Sequence, residues 1–243
     1  MRILKKRRIP FAVVLFCTFV ILLFSLFIRD IYSCHTVVAL SYLPGGKNFA
    51  FSIIDDPDGS KMEKVQNIYS FLDELGLKTT IACWIYKPMD LTNMPTPAEQ
   101  MGSLNCEMEE YVNFLREYKR KGFEIALHTV TSGHDKRDVT IAGFRRFNEL
   151  FGHNPRINIM HSRNLENIYW GKNVFQNIFL QSIVGLFDSK NFYGEDQNSP
   201  YFWGDLCKNQ IKYVRLWGTP NINTLKFNPS MPYHDKKKPF VNY

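Results

Sequence analysis

From Ile9 to Ile28 the chain reads IPFAVVLFCTFVILLFSLFI, with no charged residue and only Thr18 and Ser25 as polar interruptions. A helix over such a stretch reaches about 30 Å at 1.5 Å per residue, which matches the hydrocarbon thickness of a bilayer. The expectation is a single transmembrane helix over residues 9–28. Arg2, Lys5, Lys6, Arg7 and Arg8 stand before it, so the positive-inside rule puts residues 1–8 in the cytoplasm and the body on the extracytoplasmic side. A cleaved signal peptide would have a shorter apolar region, about 7–15 residues, ending in small residues. Here the run ends in Phe27-Ile28-Arg29-Asp30. The reading is an uncleaved signal anchor in the cell membrane.

Those five basic residues also account for most of the formal net charge of +7, leaving +2 on residues 9–243. A nearly neutral body has no electrostatic footprint for nucleic acid. Lys236, Lys237 and Lys238 read as a solvated loop. With Cys17 inside the apolar run, Cys34, Cys83, Cys106 and Cys207 remain for the body. Four cysteines allow three pairings, and spacing does not choose among them or against free thiols.

Residues 29–46, containing Pro44-Gly45-Gly46, read as a linker, and the domain is expected over 47–243. Strand and helix patterns then alternate. Asn48–Ile54, Thr79–Ile85, Phe123–Leu127, Ile157–Met160, Ser182–Phe187 and Ile211–Trp217 read as strands. Lys61–Leu75, Glu107–Lys121, Asp138–Leu150, Asn164–Leu180 and Pro200–Asn209 read as helices, with Gly76, Gly122 and Gly152 as stops and Asp138 as a cap. Such alternation implies a parallel sheet covered by helices, open or closed as a barrel. These folds place their chemistry beyond the C-terminal ends of the strands.

Polar clusters fall at those ends. Asp55 and Asp56 follow the first strand, with Asp58 two residues on. They form either an Asp/Gly turn or a cation site. His128 and His134 flank the segment HTVTSGH beyond another strand. They are either two unrelated histidines or, with a carboxylate, a common catalytic zinc set. Trp84, Trp170, Trp203 and Trp217 either pack the core or line a sugar groove, with Phe202-Trp203 beside Gly204 the best placed for the groove.

The phrase Phe51-Ser52-Ile53-Ile54-Asp55-Asp56, followed later by Gly122-Phe123-Glu124-Ile125-Ala126-Leu127-His128-Thr129, resembles the polysaccharide deacetylases, carbohydrate esterase family four of NodB-like fold. The resemblance spans roughly Asn48 to Trp217. It implies an α/β fold of distorted (β/α) barrel type with about seven strands. It also implies a divalent metal, usually zinc, held by Asp56, His128 and His134, with Asp55 taking the proton of the attacking water. Arg163 or His161, in Met160-His161-Ser162-Arg163-Asn164, would stand in for the arginine that orients the base. Trp203 and Phe202 would contact the substrate, an N-acylated glycan of the envelope or cell surface. The late strand ending in a histidine general acid is not evident, since His234 follows Met231-Pro232-Tyr233 rather than an apolar strand. The expectation is a divergent member that is shortened at its C-terminus or closes its barrel differently. The alternative is a non-catalytic relative that binds a glycan or a protein.

Overall fold

The computed structural model describes residues 11–32, 46, 51–92, 102–168, 170–175, 177–187 and 192–215. Residues 1–8, most of the linker, Trp217, His234 and Lys236–Lys238 lie outside them. The first described element is helix α1, Phe11–Tyr32, of 22 residues, about 33 Å long at 1.5 Å per residue. It runs past Ile28 into the expected linker. Among the described residues no helix is both long and apolar enough to cross a membrane.

The body is a mixed α/β fold around a four-stranded, all-parallel sheet in the order β1-β2-β3-β4. The strands are β1 Thr80–Cys83, β2 Glu124–Leu127, β3 Ile157–Ile159 and β4 Tyr213–Arg215. Thr80 pairs with Glu124 through Cys83 with Leu127, and Ile157 pairs with Tyr213 through Ile159 with Arg215. Beyond β1 the sheet is extended by two isolated bridges, Trp84 to Asn105 and Ile54 to Thr80, the latter with the Asp55 amide donating to the Thr80 carbonyl. The expected strand at 48–54 is therefore a single-bridge edge over its described part. No closed barrel of about seven strands forms among the described residues, where the sheet is open.

Helices α2 (Met62–Glu74), α3 (Glu109–Arg120) and α4 (Arg137–Phe151) fill the crossovers. Their apolar stripes supply Val65 and Tyr69, then Tyr111, Phe114, Leu115 and Tyr118, then Phe144, Phe147 and Phe151, packed on Ile81, Cys83, Ile125 and Leu127 of the sheet. Period-two alternation sends Ala82, Ala126 and Ile159 to the opposite face, which is also buried. Coverage of both faces is what a parallel sheet requires. Gly152 ends α4 at φ 77°, a left-handed position where glycine carries no Cβ penalty. Asp138 lies in the first turn of α4, but the cap position is Lys136.

After β3 the chain departs from the expected pattern. Asn164–Leu180 is not one helix but a series of turns leading to a 3-10 turn at Gly171–Val174, followed by helix α5, Ile178–Phe187. The predicted strand at 182–187 is the second half of that helix, and a short apolar run does not distinguish the two by periodicity. Helix α6, Gly204–Gln210, then leads into β4. None of the described cysteines, Cys17, Cys83, Cys106 and Cys207, is in a disulfide.

Candidate metal centre

Parallel strands end on one edge of the sheet, and the chain uses that edge. Residues 55–58 follow the edge bridge, His128 follows β2, His161 comes two residues after β3, and Arg215 is the last residue of β4. Asp56, Asp58, His128, Met160, His161, Ser162, Trp170 and Arg215 line a cleft of about 330 Å³ there.

The turn Asp56-Pro57-Asp58-Gly59 brings Asp58 back over the strand ends. The Asp58 amide donates to Asp56 Oδ1 at 3.2 Å, and the Ser60 amide donates to the Pro57 carbonyl at 3.0 Å. Gly59 sits at φ 65°, and its amide donates to Ser103 Oγ at 2.9 Å. His128 Nε2 lies 3.5 Å from both Asp56 Oδ1 and Asp58 Oδ1. His161 Nε2 lies 3.4 Å from Asp58 Oδ2. One donor atom from each of Asp58, His128 and His161 falls within 4.8 Å of the other two, which makes the three a group able to hold a metal ion. Donors about 2.0–2.1 Å from a tetrahedral zinc stand about 3.4 Å from one another, so the two Asp58–imidazole separations fit such an ion.

His128 supplies a second indication. It is 1 % exposed, and neither ring nitrogen has a hydrogen-bond partner among the described residues. Buried polar groups are nearly always satisfied, and an orphan at a cluster of donors points to a missing ion or water. Burial holds the His128 pKa below its ordinary value, which keeps the ring neutral and its lone pair available.

His161 is oriented from behind. Asn164 Nδ2 donates to the Gly133 carbonyl and to Glu166 Oε1, both at 2.7 Å. Its Oδ1 therefore accepts, and His161 Nδ1, at 2.8 Å, must be the donor. In the neutral ring this leaves the Nε2 lone pair facing Asp58. Asn167 Nδ2 donates to the His161 carbonyl at 2.7 Å. Glu166 Oε2 accepts the Asp135 amide at 3.1 Å, and Asp135 in turn accepts the amides of Val130 and Thr131. Burial pushes the Asp135 carboxyl up to about 7 and Glu166 well above the usual range. Burial alone would lower His161 and raise Asp58, but their neighbours outweigh it: Asp58 and Asn164 hold His161 above its ordinary value, and His128 and His161 hold Asp58 well below.

The expected site residues divide on this geometry. Asp56 and His128 line the cleft with His161. His134 does not join them, because its Nε2 lies 2.8 Å from the Thr92 carbonyl and its Nδ1 accepts the Leu165 amide at 3.3 Å. The place expected for His134 is taken by His161. Asp55 turns into the domain, where Oδ1 accepts the Ala82 amide and Oδ2 the Tyr69 hydroxyl. Burial pushes its carboxyl up to about 6 against the pull of those two donors. Arg163 is exposed at φ 74° and outside the cleft lining. Trp203 is core: 2 % exposed, it donates from Nε1 to the Glu166 carbonyl at 2.6 Å and meets Phe144 edge-on. Phe202 lies under the Arg137 guanidinium, 5.4 Å from ring centroid to Cζ.

Two charged residues of the cleft, Asp58 and Arg215, are not among the expected site residues. Asp58 is visible in the DDPDG turn, but its direction depends on the turn's internal hydrogen bonds. Arg215, with Nη2 at 3.6 Å from Asp56 Oδ2, stands inside the expected strand Ile211–Trp217, and its place at the end of β4 is visible only in the structure. Trp84, with its ring 5.4 Å from His128 and 5.8 Å from His161, packs beneath both imidazoles, and Trp170 is the aromatic residue of the cleft wall. No family model, no curated protein and no solved structure is similar enough to the chain to match it.

Proposed function

We propose that this chain is a membrane-anchored, metal-dependent hydrolase that removes N-acyl groups from a surface or envelope glycan, as the polysaccharide deacetylases do. The observation that carries the reading is the buried, orphaned His128 facing Asp58 and His161 at separations suited to a divalent ion. Asp58, His128 and His161 would hold the ion, which when bound would supply a Lewis acid for an acyl carbonyl and acidify water. Asp56, 3.5 Å from His128 Nε2 and half-exposed in the cleft, is the carboxylate placed to accept a proton there. Arg215 orients Asp56 from the far side, the task first assigned to Arg163 or His161. Trp170 offers a face for a sugar ring. The reading carries with it the distorted (β/α) barrel of that family, of which the parallel sheet would be a part.

Anchoring is supported by α1. Its described side chains are apolar and largely exposed. Among the described side chains of the helix, Thr18 and Ser25 are the polar exceptions, and both are internally bonded, Thr18 Oγ1 to the Val14 carbonyl at 2.9 Å and Ser25 Oγ to the Ile21 carbonyl at 2.8 Å. No polar side-chain group of that stretch then needs water, which suits a lipid environment.

A second reading, a non-catalytic relative that keeps the metal and binds a glycan or a protein, is favoured by Asp55, whose two oxygens are both engaged away from the cleft. Acetate release from N-acetylated oligosaccharides separates the two. The enzyme reading expects release by the zinc-loaded chain and its loss, by about 10²–10⁴-fold, in Asp56→Asn with the metal retained. A zinc-loaded chain that releases no acetate leaves the binding reading.

A further inference from the structure

Helix α5 differs from the other helices of the body in its outer face. Ile178, Phe179, Ser182, Gly185 and Leu186 are exposed, at a spacing that marks one continuous helical stripe. Ile178 is 71 %, Phe179 67 % and Leu186 82 % exposed, while Leu180 points inward and is buried. A helix on a water-exposed surface carries charges on its outer stripe. This one, IFLQSIVGLF, has none anywhere.

Its few polar groups are already satisfied. Ser182 Oγ donates to the Ile178 carbonyl at 2.9 Å, and Gln181 Nε2 donates to the Phe175 carbonyl at 2.7 Å. Asn177 Oδ1 accepts the amides of Phe179 and Leu180 at the helix start, at 2.9 and 3.4 Å. Such internal satisfaction is what lipid demands and water does not. The helix packs on the 3-10 turn after Trp170 and on α1, whose described side chains are largely apolar and exposed. At ten residues it is about 15 Å long, half of what a crossing needs. Lys172 is exposed beside it, and its stem runs over Gly185, 3.3 Å from where a Cβ would stand. That places a cation at the helix flank, where anionic headgroups would lie.

We infer that α5 lies in the bilayer surface, its stripe Ile178, Phe179 and Leu186 buried among the acyl chains next to the anchor. The inference rests on α1 being that anchor, and the experiment reads the two separately. The full chain is reconstituted in vesicles of phosphatidylcholine and phosphatidylglycerol, with an environment-sensitive fluorophore on one cysteine at a time. The sites are Phe179→Cys, Leu186→Cys and, as a surface control in α4, Glu149→Cys, each with Cys17→Ser and Cys34→Ser, the buried Cys83, Cys106 and Cys207 being shielded from the label. Native Cys17, with Cys34→Ser, reports on α1. The α5 positions are exposed, so the substitutions leave the core untouched. Lipids carrying a quencher on the acyl chain are expected to quench the probes at 17, 179 and 186 and to spare the probe at 149. Quenching at 17 without quenching at 179 and 186 overturns the inference and leaves the anchor standing. Absence of quenching at all three overturns both. Self-quenching at 179 and 186 that grows with protein density, without quenching by lipid, assigns the stripe to a second copy and also overturns it.

Discussion

Replacing Asp135 by Asn probes the polar layer that positions His161. Asp135 is buried; its Oδ2 accepts the Val130 and Thr131 amides at 2.9 Å each, and its Oδ1 accepts the Thr131 hydroxyl at 2.6 Å. Burial raises its carboxyl from the ordinary 3.8 to about 7, with those donors opposing. A carboxyl that holds its proton more tightly in the folded chain contributes stability at acid pH. The contribution is complete below about 3.8 and is lost as the pH rises through about 7. At 1.36 kcal/mol per pH unit the interval is worth at most about 4 kcal/mol. Asn keeps an acceptor for the two amides and cannot ionise. The stability of Asp135→Asn is therefore expected to fall less than the wild type's between about pH 4 and about pH 8, so that the difference moves in favour of the variant as pH rises. Asp135→Ala removes the acceptors as well and is expected to lose about 2–4 kcal/mol even at acid pH, where the wild-type carboxyl is neutral. Urea unfolding followed across that pH range measures all three. Parallel pH profiles for wild type and Asp135→Asn would refute the assignment of a raised pKa to this carboxyl.

Further outcomes follow from single contacts. Gly143→Ala drives a Cβ into both methyl groups of Val130, and urea unfolding is expected to show a loss of about 1–3 kcal/mol from overpacking. Tyr69→Phe removes the hydroxyl that donates to Asp55. It should push that carboxyl above about 6 and cost about 1.5–3 kcal/mol at pH values where Asp55 is ionised, with a smaller loss in acid. Asn164→Ala removes the acceptor that fixes the His161 ring, and zinc affinity measured by chelator competition should fall by about 10–100-fold with the fold retained.

The alternation of apolar periods made the parallel sheet legible, together with the glycine stops at Gly76, Gly122 and Gly152, all at positive φ. The strand-end positions of the Asp cluster and His128 were legible for the same reason: side chains just beyond parallel strands share one edge. The choice between His134 and His161 was not legible. Both follow strands, and only tertiary bonds, Thr92 and Leu165 to one and Asn164 to the other, decide which ring faces the cleft. The segment after His161 misled for a related reason. Asn164, Glu166 and Asn167 reach into the buried network, and their bonds override the helical spacing of Leu165 and Ile168. The short run Ile183-Val184-Gly185-Leu186-Phe187 satisfies a strand pattern and a helix pattern alike, and Asn177 starts the helix by capping its first amides.

We propose that Asp58, His128 and His161 form the metal centre. The most direct test of this claim is the metal content of the purified full chain after zinc loading and removal of free ion, compared with His128→Ala, His161→Ala and His134→Ala, each checked for folding by circular dichroism. The predicted result is about one ion per chain in the wild type and in His134→Ala, and none in His128→Ala and His161→Ala. Retention of the ion by a folded His161→Ala, with its loss in His134→Ala, would contradict the claim and restore the set of Asp56, His128 and His134.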